Sequence, residues 1–484
     1  MIDEILEARR TKLAKMKEKG INPYPSKTYR DTSITDAISN FDELSSSKKS
    51  ITIAGRILAI RDQGKLIFMD IDDGSAKIQI VATENNVADF DFWKSMIDIG
   101  DFIESNGILF TTKKGEKSLE AKTLRMLMKS LRPLPSGFYG IEDDETRLRQ
   151  RYLELILNPE VRDMFRKKSI FWSTFRQALL EEGFLEVETP ILELTPGGAE
   201  AEPFVTHYNA LDTDYYLRIS LEIALKKLMV AGYEKVFEIG RIFRNEGIDA
   251  DHLQDYTQLE FYWGYTDYND LMKFINETYQ KVVQNVTGSL KTDWKGTEID
   301  WSGVWPKVDY CEIFKEKTGL DLLESSDDDL YKFAKSSNIK VDEKLGRGRV
   351  IDLIFKKFCR PSLIQPAFLV NPPIEIEPLA KRMDDDDRRV YRFQVVACGS
   401  ELGKGFSEAN DPIDERERFE AQMDLRESGD AEAQMLDEDF LEALEYGMPT
   451  MSGFGISERL FAFLMNKPIR ETVFFPSMRR KNQQ

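Results

Sequence analysis

Hydrophobic and polar positions follow two different rhythms along the chain. Between residues 51 and 131 the apolar runs are short and alternate with polar positions, as in ITIAGRILAI, KLIFMDIDD, AKIQIVA and DFIESNGILFTT. QGK, DDGS and KKGEK separate them, each with a glycine where a tight turn needs one. About five short strands in this arrangement predict a small closed barrel, of which the OB-fold is the natural member. Residues 1–50 read as a basic helix and lead-in, and RPLPSGFYG marks a linker over 132–141. From 142 to 484 the spacing lengthens to that of helices, as in RLRQRYLELILNPEVRDMFRKKSIFWSTFRQALLEEG, and alternating strands are mixed in, which is an α+β pattern.

Composition changes this picture in a few respects. With 484 residues and 41% hydrophobic positions the chain can bury two or three cores. A net charge of −18 excludes a surface that holds nucleic acid everywhere, so a polyanion must meet a local basic patch. One candidate is the first helix, with Arg9, Arg10, Lys12, Lys15, Lys17 and Lys19; a merely solvated face is the other reading. Cys311, Cys359 and Cys398 are isolated, which argues against disulfide frameworks and zinc ribbons and fits a reducing cytoplasm. Two histidines, His207 and His252, exclude a multi-histidine metal site. The start lacks an apolar signal core and no run of about 18 apolar residues is present, so no membrane partner is expected.

The chemistry concentrates around FRNEGIDADH (243–252), which lies between KVFEIGRI and YTQLEFYWGY. The period of two puts Leu259, Phe261 and Trp263 on one face of the returning strand and Gln258, Glu260 and Tyr262 on the other. An acid beside an arginine on such a hairpin is either a structural ion pair or part of a site. GFLEVETPIL, LRISLEIALKKL, SELGKGFSEAND and GFGISERL share the look of an apolar strand carrying placed polar groups. The glycines of the last allow close backbone approach, and its arginine suits phosphate.

Together these segments resemble the class II aminoacyl-tRNA synthetases, and within them the lysyl-tRNA synthetase branch, from about residue 5 to the end. GFLEVETP is similar to the family's first motif, FRNEGIDADH with TQLEFY to the second, and GFGISERL with PIRETVFFPSMRR to the third. TPGGAEAEPFVTHYNALDTDYYLRIS, EIEPLAK, GFSEAND and GRILAIRDQGKLIFMDIDD carry the subfamily resemblance. It implies an antiparallel-sheet catalytic domain flanked by helices behind an OB-fold barrel that reads the anticodon. It also implies ATP, L-lysine and tRNA(Lys) as partners, Mg²⁺ as cofactor, a homodimer built through the first motif, and a cytoplasmic place.

Residue by residue, the resemblance implies Arg244 and Arg459 as catalytic and ATP-binding groups. Glu246, His252, Tyr256 and Glu401 would join them around ATP, with Tyr256 stacked under adenine. Glu260, Tyr262 and Glu408 would hold the lysine ε-ammonium, and Glu222 with the backbone at Gly198 the α-ammonium. Glu401 and Glu408 are the implied metal ligands; Gln394 stands where the family has a first metal carboxylate, and Lys404 where it has asparagine. Lys404 is expected to take over metal charge on phosphate or to lean on Glu401 or Glu408. Ser457 and Glu202 also depart from the family pattern. In the barrel Phe68, Gln79 and Glu116 match anticodon readers, with Arg56 and Arg61 placed to hold backbone or bases. Two other readings stay open: a class II ligase that loads lysine onto a protein, and a binder without catalysis. Trp294, Trp301 and Trp305, in DWKGTEIDWSGVWPKVDY, are expected to be local core.

Overall fold

The computed structural model describes residues 2–135, 143–247, 252–341, 345–377, 379–427 and 434–479. Most of the expected linker and the tip of the 243–252 loop therefore lie outside the described residues. The chain divides into two compact units, Met1–Asp143 and Asp144–Gln484.

In the first unit, β1 (Ser50–Asp62), β2 (Leu66–Asp72), β3 (Lys77–Thr83), β4 (Phe102–Thr111) and β5 (Lys117–Met128) close a barrel in the order β1-β2-β3-β5-β4. Closure works because β1 is 13 residues long and pairs antiparallel with both β2 and β4. The alternation read from sequence sets the interior: Ile67, Met69 and Ile71 of β2 are buried, while Leu66, Phe68 and Asp70 face out. The barrel core also takes in Met16, Ile34, Ala37 and Phe41, so the lead-in packs into the same core as the strands. Arg9, expected on a basic helix face, is instead buried, donating from Nη1 to Ser130 O at 3.1 Å and from Nη2 to Ile99 O at 2.9 Å. Lys12 pairs with Asp98 and Lys19 with Asp89, each at 2.8 Å, so the basic face is partly neutralised by the unit itself.

The second unit is built on an eight-stranded sheet. In chain order its strands are β6 (Leu185–Glu186), β7 (Lys235–Phe243), β8 (Asp255–Gly264), β9 (Lys307–Asp309), β10 (Ala367–Val370), β11 (Arg392–Ala397), β12 (Ser400–Ser407) and β13 (Met451–Ser457). In space they run β9-β10-β11-β12-β13-β8-β7-β6. Pairing is antiparallel across the middle and parallel at the edges, β9 with β10 and β7 with β6.

Two long helices join the core against the sheet. The helix Pro159–Glu181 starts where Asn158 caps the amides of Glu160 and Val161 and a proline takes the first turn. The helix Tyr268–Thr287 has a capping box of Asp267 and Asp270 and ends at Gly288. Its Leu271, Met272, Ile275, Tyr279, Val282, Val283 and Val286 recur at helical spacing and enter the core with Phe171 and Phe175 of its neighbour and Leu259 and Phe261 of β8. Trp301 and Trp305 are buried in the same core, and Trp294 stacks on Phe463 at 4.4 Å, which places all three tryptophans in packing. Since one face of β8 is used in this way, Gln258, Glu260 and Tyr262 turn to the other.

Candidate active site

The opposite face of the sheet carries a cavity of about 750 Å³. Its floor is β13, where Gly453 and Gly455 stand in register between Tyr262 and Glu260 of β8 on one side and Phe406 and Lys404 of β12 on the other. Glycine is needed here for space, because a Cβ on Gly453 would lie 2.2 Å from Glu408 Oε1 and 2.5 Å from Tyr262 Cε1. The neighbouring strands therefore supply the walls.

One end of the cavity is acidic and enclosed. Glu260 accepts from Ser220 Oγ at 2.7 Å, Leu221 N at 3.1 Å and Gln258 Nε2 at 2.6 Å on Oε1, and from the Tyr262 hydroxyl at 3.0 Å on Oε2. This carboxylate is saturated with donors and fixes the phenol. Burial, with Glu222, Glu260 and Glu408 adding, raises the Tyr262 hydroxyl well above its ordinary value, so it stays protonated. Glu222 and Glu408 share the ammonium of Lys226, which lies 2.6 Å from each and is fully buried. Burial raises both carboxyls, against the pull of Lys226. Glu408 Oε1 has no hydrogen-bond partner among the described residues, which leaves a buried acceptor facing the cavity without a donor. Gly198 adopts a left-handed φ of 81°, and a Cβ added to it would lie 2.7 Å from Glu222 Cβ, which leaves no room for a side chain.

The other end is cationic. Arg244, Arg360, Arg392, Lys404 and Arg459 line it around Glu401. Arg244 follows β7, donates from Nε to Ile219 O at 3.2 Å and lies 5.9 Å from the ring of Tyr256. Arg459 begins the helix Arg459–Leu464 directly after β13. Burial alone would raise the Glu401 carboxyl, but Arg360 (3.6 Å away), Arg392, Arg459 and Lys404 hold it below its ordinary value. Lys404 does not lean on Glu401 or Glu408; its ammonium sits 2.8 Å from Glu377 Oε2, which Arg392 also holds at 3.2 Å. That pairing corrects the sequence expectation, and its reason is that EIEPLAK brings Glu377 across the strand end.

Gln394 is buried on β11 opposite Lys404, so an amide oxygen and the Glu401 carboxylate are what this wall offers a cation. Among the described residues no group of three or more His, Cys, Asp or Glu is arranged to hold a metal. This donor set suits an ion carried in on phosphate oxygens better than one caged by protein. Glu408, also expected near a metal, lies on Lys226 at the acidic end. Glu246 and His252 are half-buried and exposed on their loop and do not line the cavity, whereas Arg244, Tyr256, Gly198, Glu222, Glu260, Tyr262, Gln394, Glu401, Glu408 and Arg459 all do. Lys226, Glu377, Arg360 and Arg392 were not singled out by sequence; the one signal was the four-residue spacing of Glu222 and Lys226 on a helix.

On the barrel, Phe68 pairs in register with Arg61, whose guanidinium is 5.8 Å from its ring. Gln79 lies opposite Asp70 on the adjoining strand, and its side-chain oxygen accepts from Ser118 Oγ at 3.1 Å, two residues beyond Glu116. Phe68, Arg61 and Gln79 thus lie on one side of the barrel wall, with Gln79 buried, and Glu116 is exposed in the turn before β5. Arg56 is apart from them, donating to Gly100 O at 3.3 Å and lying 4.2 Å from the ring of Phe102.

Comparison with known proteins agrees with both units. Residues 143–479 match the family described as tRNA synthetases class II (D, K and N), and residues 51–127 match an OB-fold nucleic acid binding domain. The lysine–tRNA ligase of Pelotomaculum thermopropionicum is 42% identical over 485 residues, covering 99% of this chain and 95% of its own. That of Roseiflexus castenholzii is 42% identical with 99% of each covered, and that of Halalkalibacterium halodurans 43% identical with 99% and 98% covered.

Proposed function

Since the chain belongs to the class II tRNA synthetases (D, K and N), we infer that it activates L-lysine with ATP and transfers the lysine to the 3′ end of its tRNA. The observation that carries the choice of amino acid is the buried Glu408 Oε1, an acceptor without a donor among the described residues at the enclosed end of the cavity. A substrate ammonium supplies that donor, and a neutral side chain would leave this buried oxygen without one.

The chemistry follows from the two ends. The lysine α-carboxylate attacks the α-phosphorus of ATP; a P–O bond forms to the amino acid, the bond to the β-phosphate oxygen breaks, and pyrophosphate leaves. The ε-ammonium lies on Glu408 beside Tyr262, with Glu260 holding the phenol, and the α-ammonium meets Glu222 near the Gly198 backbone. Arg244 sits where carboxylate and α-phosphate charge crowd, and Arg459 faces the departing phosphates; cations fixed before the reaction lower its barrier most. Tyr256 supplies a ring for adenine beside Arg244. Mg²⁺ bound with ATP supplies further charge neutralisation, and Glu401, with Gln394, is the group that would hold it. In the second step a terminal ribose hydroxyl of the tRNA attacks the lysyl carbonyl and AMP leaves. Phe68, Arg61, Gln79 and Glu116 form the barrel face for anticodon bases, by stacking and edge contacts.

The chain acts as a homodimer in this reading, which is supported by exposed Ile170, Leu180, Leu185, Leu192 and Leu194 on the first-motif helix and the strands after it. A cytoplasmic place is supported by three free cysteines and by the lack, among the described residues, of a helix long and apolar enough to cross a membrane. Lysine-dependent exchange of pyrophosphate into ATP, followed by charging of tRNA, tests the reading. Exchange without charging would favour a ligase that loads lysine onto a protein, and no exchange would leave only a binder.

A further inference from the structure

Glu415 lies in the first turn of the helix Pro412–Glu427, behind the acidic end of the cavity. Its side chain is completely buried, and neither carboxyl oxygen has a hydrogen-bond partner among the described residues. The charged groups that face it are Lys226 and Glu222 from the helix Glu222–Val230, Glu408 from the chain after β12, and Asp414 and Arg418 from its own helix. Arg418 is held elsewhere, donating to Ala380 O at 2.5 Å and pairing with Asp414. Among the described residues this buried carboxyl has no structural hydrogen bond to account for it.

Counting charge gives it a role, one that rests on the lysine reading above. Lys226 is in contact with Glu222 and Glu408, the same two carboxylates that must receive the two ammonium groups of lysine. Since Glu260 is taken up by four donors of its own, the two carboxylates in contact with Lys226 would otherwise meet three ammonium groups between them. With Glu415 ionised, three face three. We propose that Glu415 is a positioning residue for lysine: it balances Lys226 from behind, so that Glu222 and Glu408 keep their negative charge for the substrate.

Burial pushes the Glu415 carboxyl up to about 7, with Lys226 and Arg418 pulling it down and Glu222 and Asp414 adding to the rise. The group is thus poised to lose its proton when a further cation enters. The sign is fixed: the ionised form favours lysine, so lysine affinity increases as pH rises through neutrality, and binding releases a proton.

The test is made on the full-length chain by pyrophosphate exchange and by lysine titration. Glu415→Gln should raise the KM for lysine by about 10-fold or more while leaving that for ATP little changed. The lysine KM of the wild type should fall between about pH 6 and pH 8, and that of the variant should stay flat. Glu415→Gln combined with Lys226→Met removes one charge of each sign and should recover most of the lost affinity. Calorimetry of the wild type in buffers of different ionisation enthalpy should show proton release on lysine binding, a readout that needs no variant to fold. An unchanged lysine KM in Glu415→Gln, a double variant no better than the single one, or binding without proton release would each overturn the proposal. Failure of the wild type to exchange with lysine at all would instead sink the lysine reading.

Discussion

Gly453→Ala is the most direct probe of the acidic end. Gly453 has no positive φ, so alanine meets no backbone strain, and the whole effect comes from contact. The added carbon would sit 2.2 Å from Glu408 Oε1 and 2.5 Å from Tyr262 Cε1, against a van der Waals separation of about 3.5 Å. One or both side chains must therefore move by about 1 Å. Neither moves freely, since Glu408 is paired with Lys226 and Tyr262 is tied to Glu260. Displacement of that size at positioned groups costs on the order of 10²-fold in rate, and overpacking of this kind costs about 1–3 kcal/mol of stability. Exchange kinetics should show kcat/KM for lysine falling by that factor with the KM for ATP retained, and thermal unfolding should show a lowered Tm. Gly455→Ala on the same strand is the control for stability, because its Cβ would meet nothing closer than Glu260 Cγ at 3.5 Å, and its Tm should match the wild type. A Gly453→Ala protein with wild-type Tm and wild-type lysine kinetics would refute the reasoning.

Arg244→Ala should abolish exchange while the fold survives, as among the described residues the side chain makes one hydrogen bond, to Ile219 O, and its loss at the reacting phosphate is worth about 3–4 kcal/mol of barrier; near-normal exchange would remove it from catalysis. Glu408→Gln should raise the KM for lysine far more than that for ATP, by about 3–5 kcal/mol in binding, because an amide leaves one buried ammonium group unmatched; equal effects on both substrates would place Glu408 with the phosphates. Gln394→Glu with Lys404→Asn shifts the cationic end by about two charge units toward negative and should steepen the dependence of exchange on free Mg²⁺ and increase Mn²⁺ binding by the ATP complex. Superimposable curves for wild type and variant would show that this pair has no part in neutralising phosphate.

The barrel and the 235–264 hairpin were legible because a period of two decides which side chains are buried, and that rule is local. Phe68, facing out between Ile67 and Met69, could be placed by counting alone. The cavity walls around Arg244, Glu260 and Glu408 were reached through motif resemblance rather than pattern. The illegible part consists of charged residues whose burial is tertiary. Lys226 lies in LEIALKKL like any solvated helical lysine, and the arrival of Phe406, Glu408 and Phe440 from far along the chain buries it. Lys404 takes its partner from 27 residues away, a separation without a sequence period. The lead-in was unreadable for the same reason: Ile34, Ala37 and Phe41 are too few and too scattered to announce that they complete a barrel core.

The position of β13 in the sheet has a consequence for how the molecule is made. Residues 451–457 are inserted between β12 and β8, so the strand that joins the early hairpin to the late one leaves a ribosome after both of them. Until then the chain holds two half-sheets, each with an open edge of unpaired amides and carbonyls, which is the state most exposed to wrong pairing. The floor of the cavity and the seam of the domain are the same seven residues. A chain cut before residue 451 lacks the strand that sets Glu260 and Tyr262 of β8 beside Lys404 and Phe406 of β12.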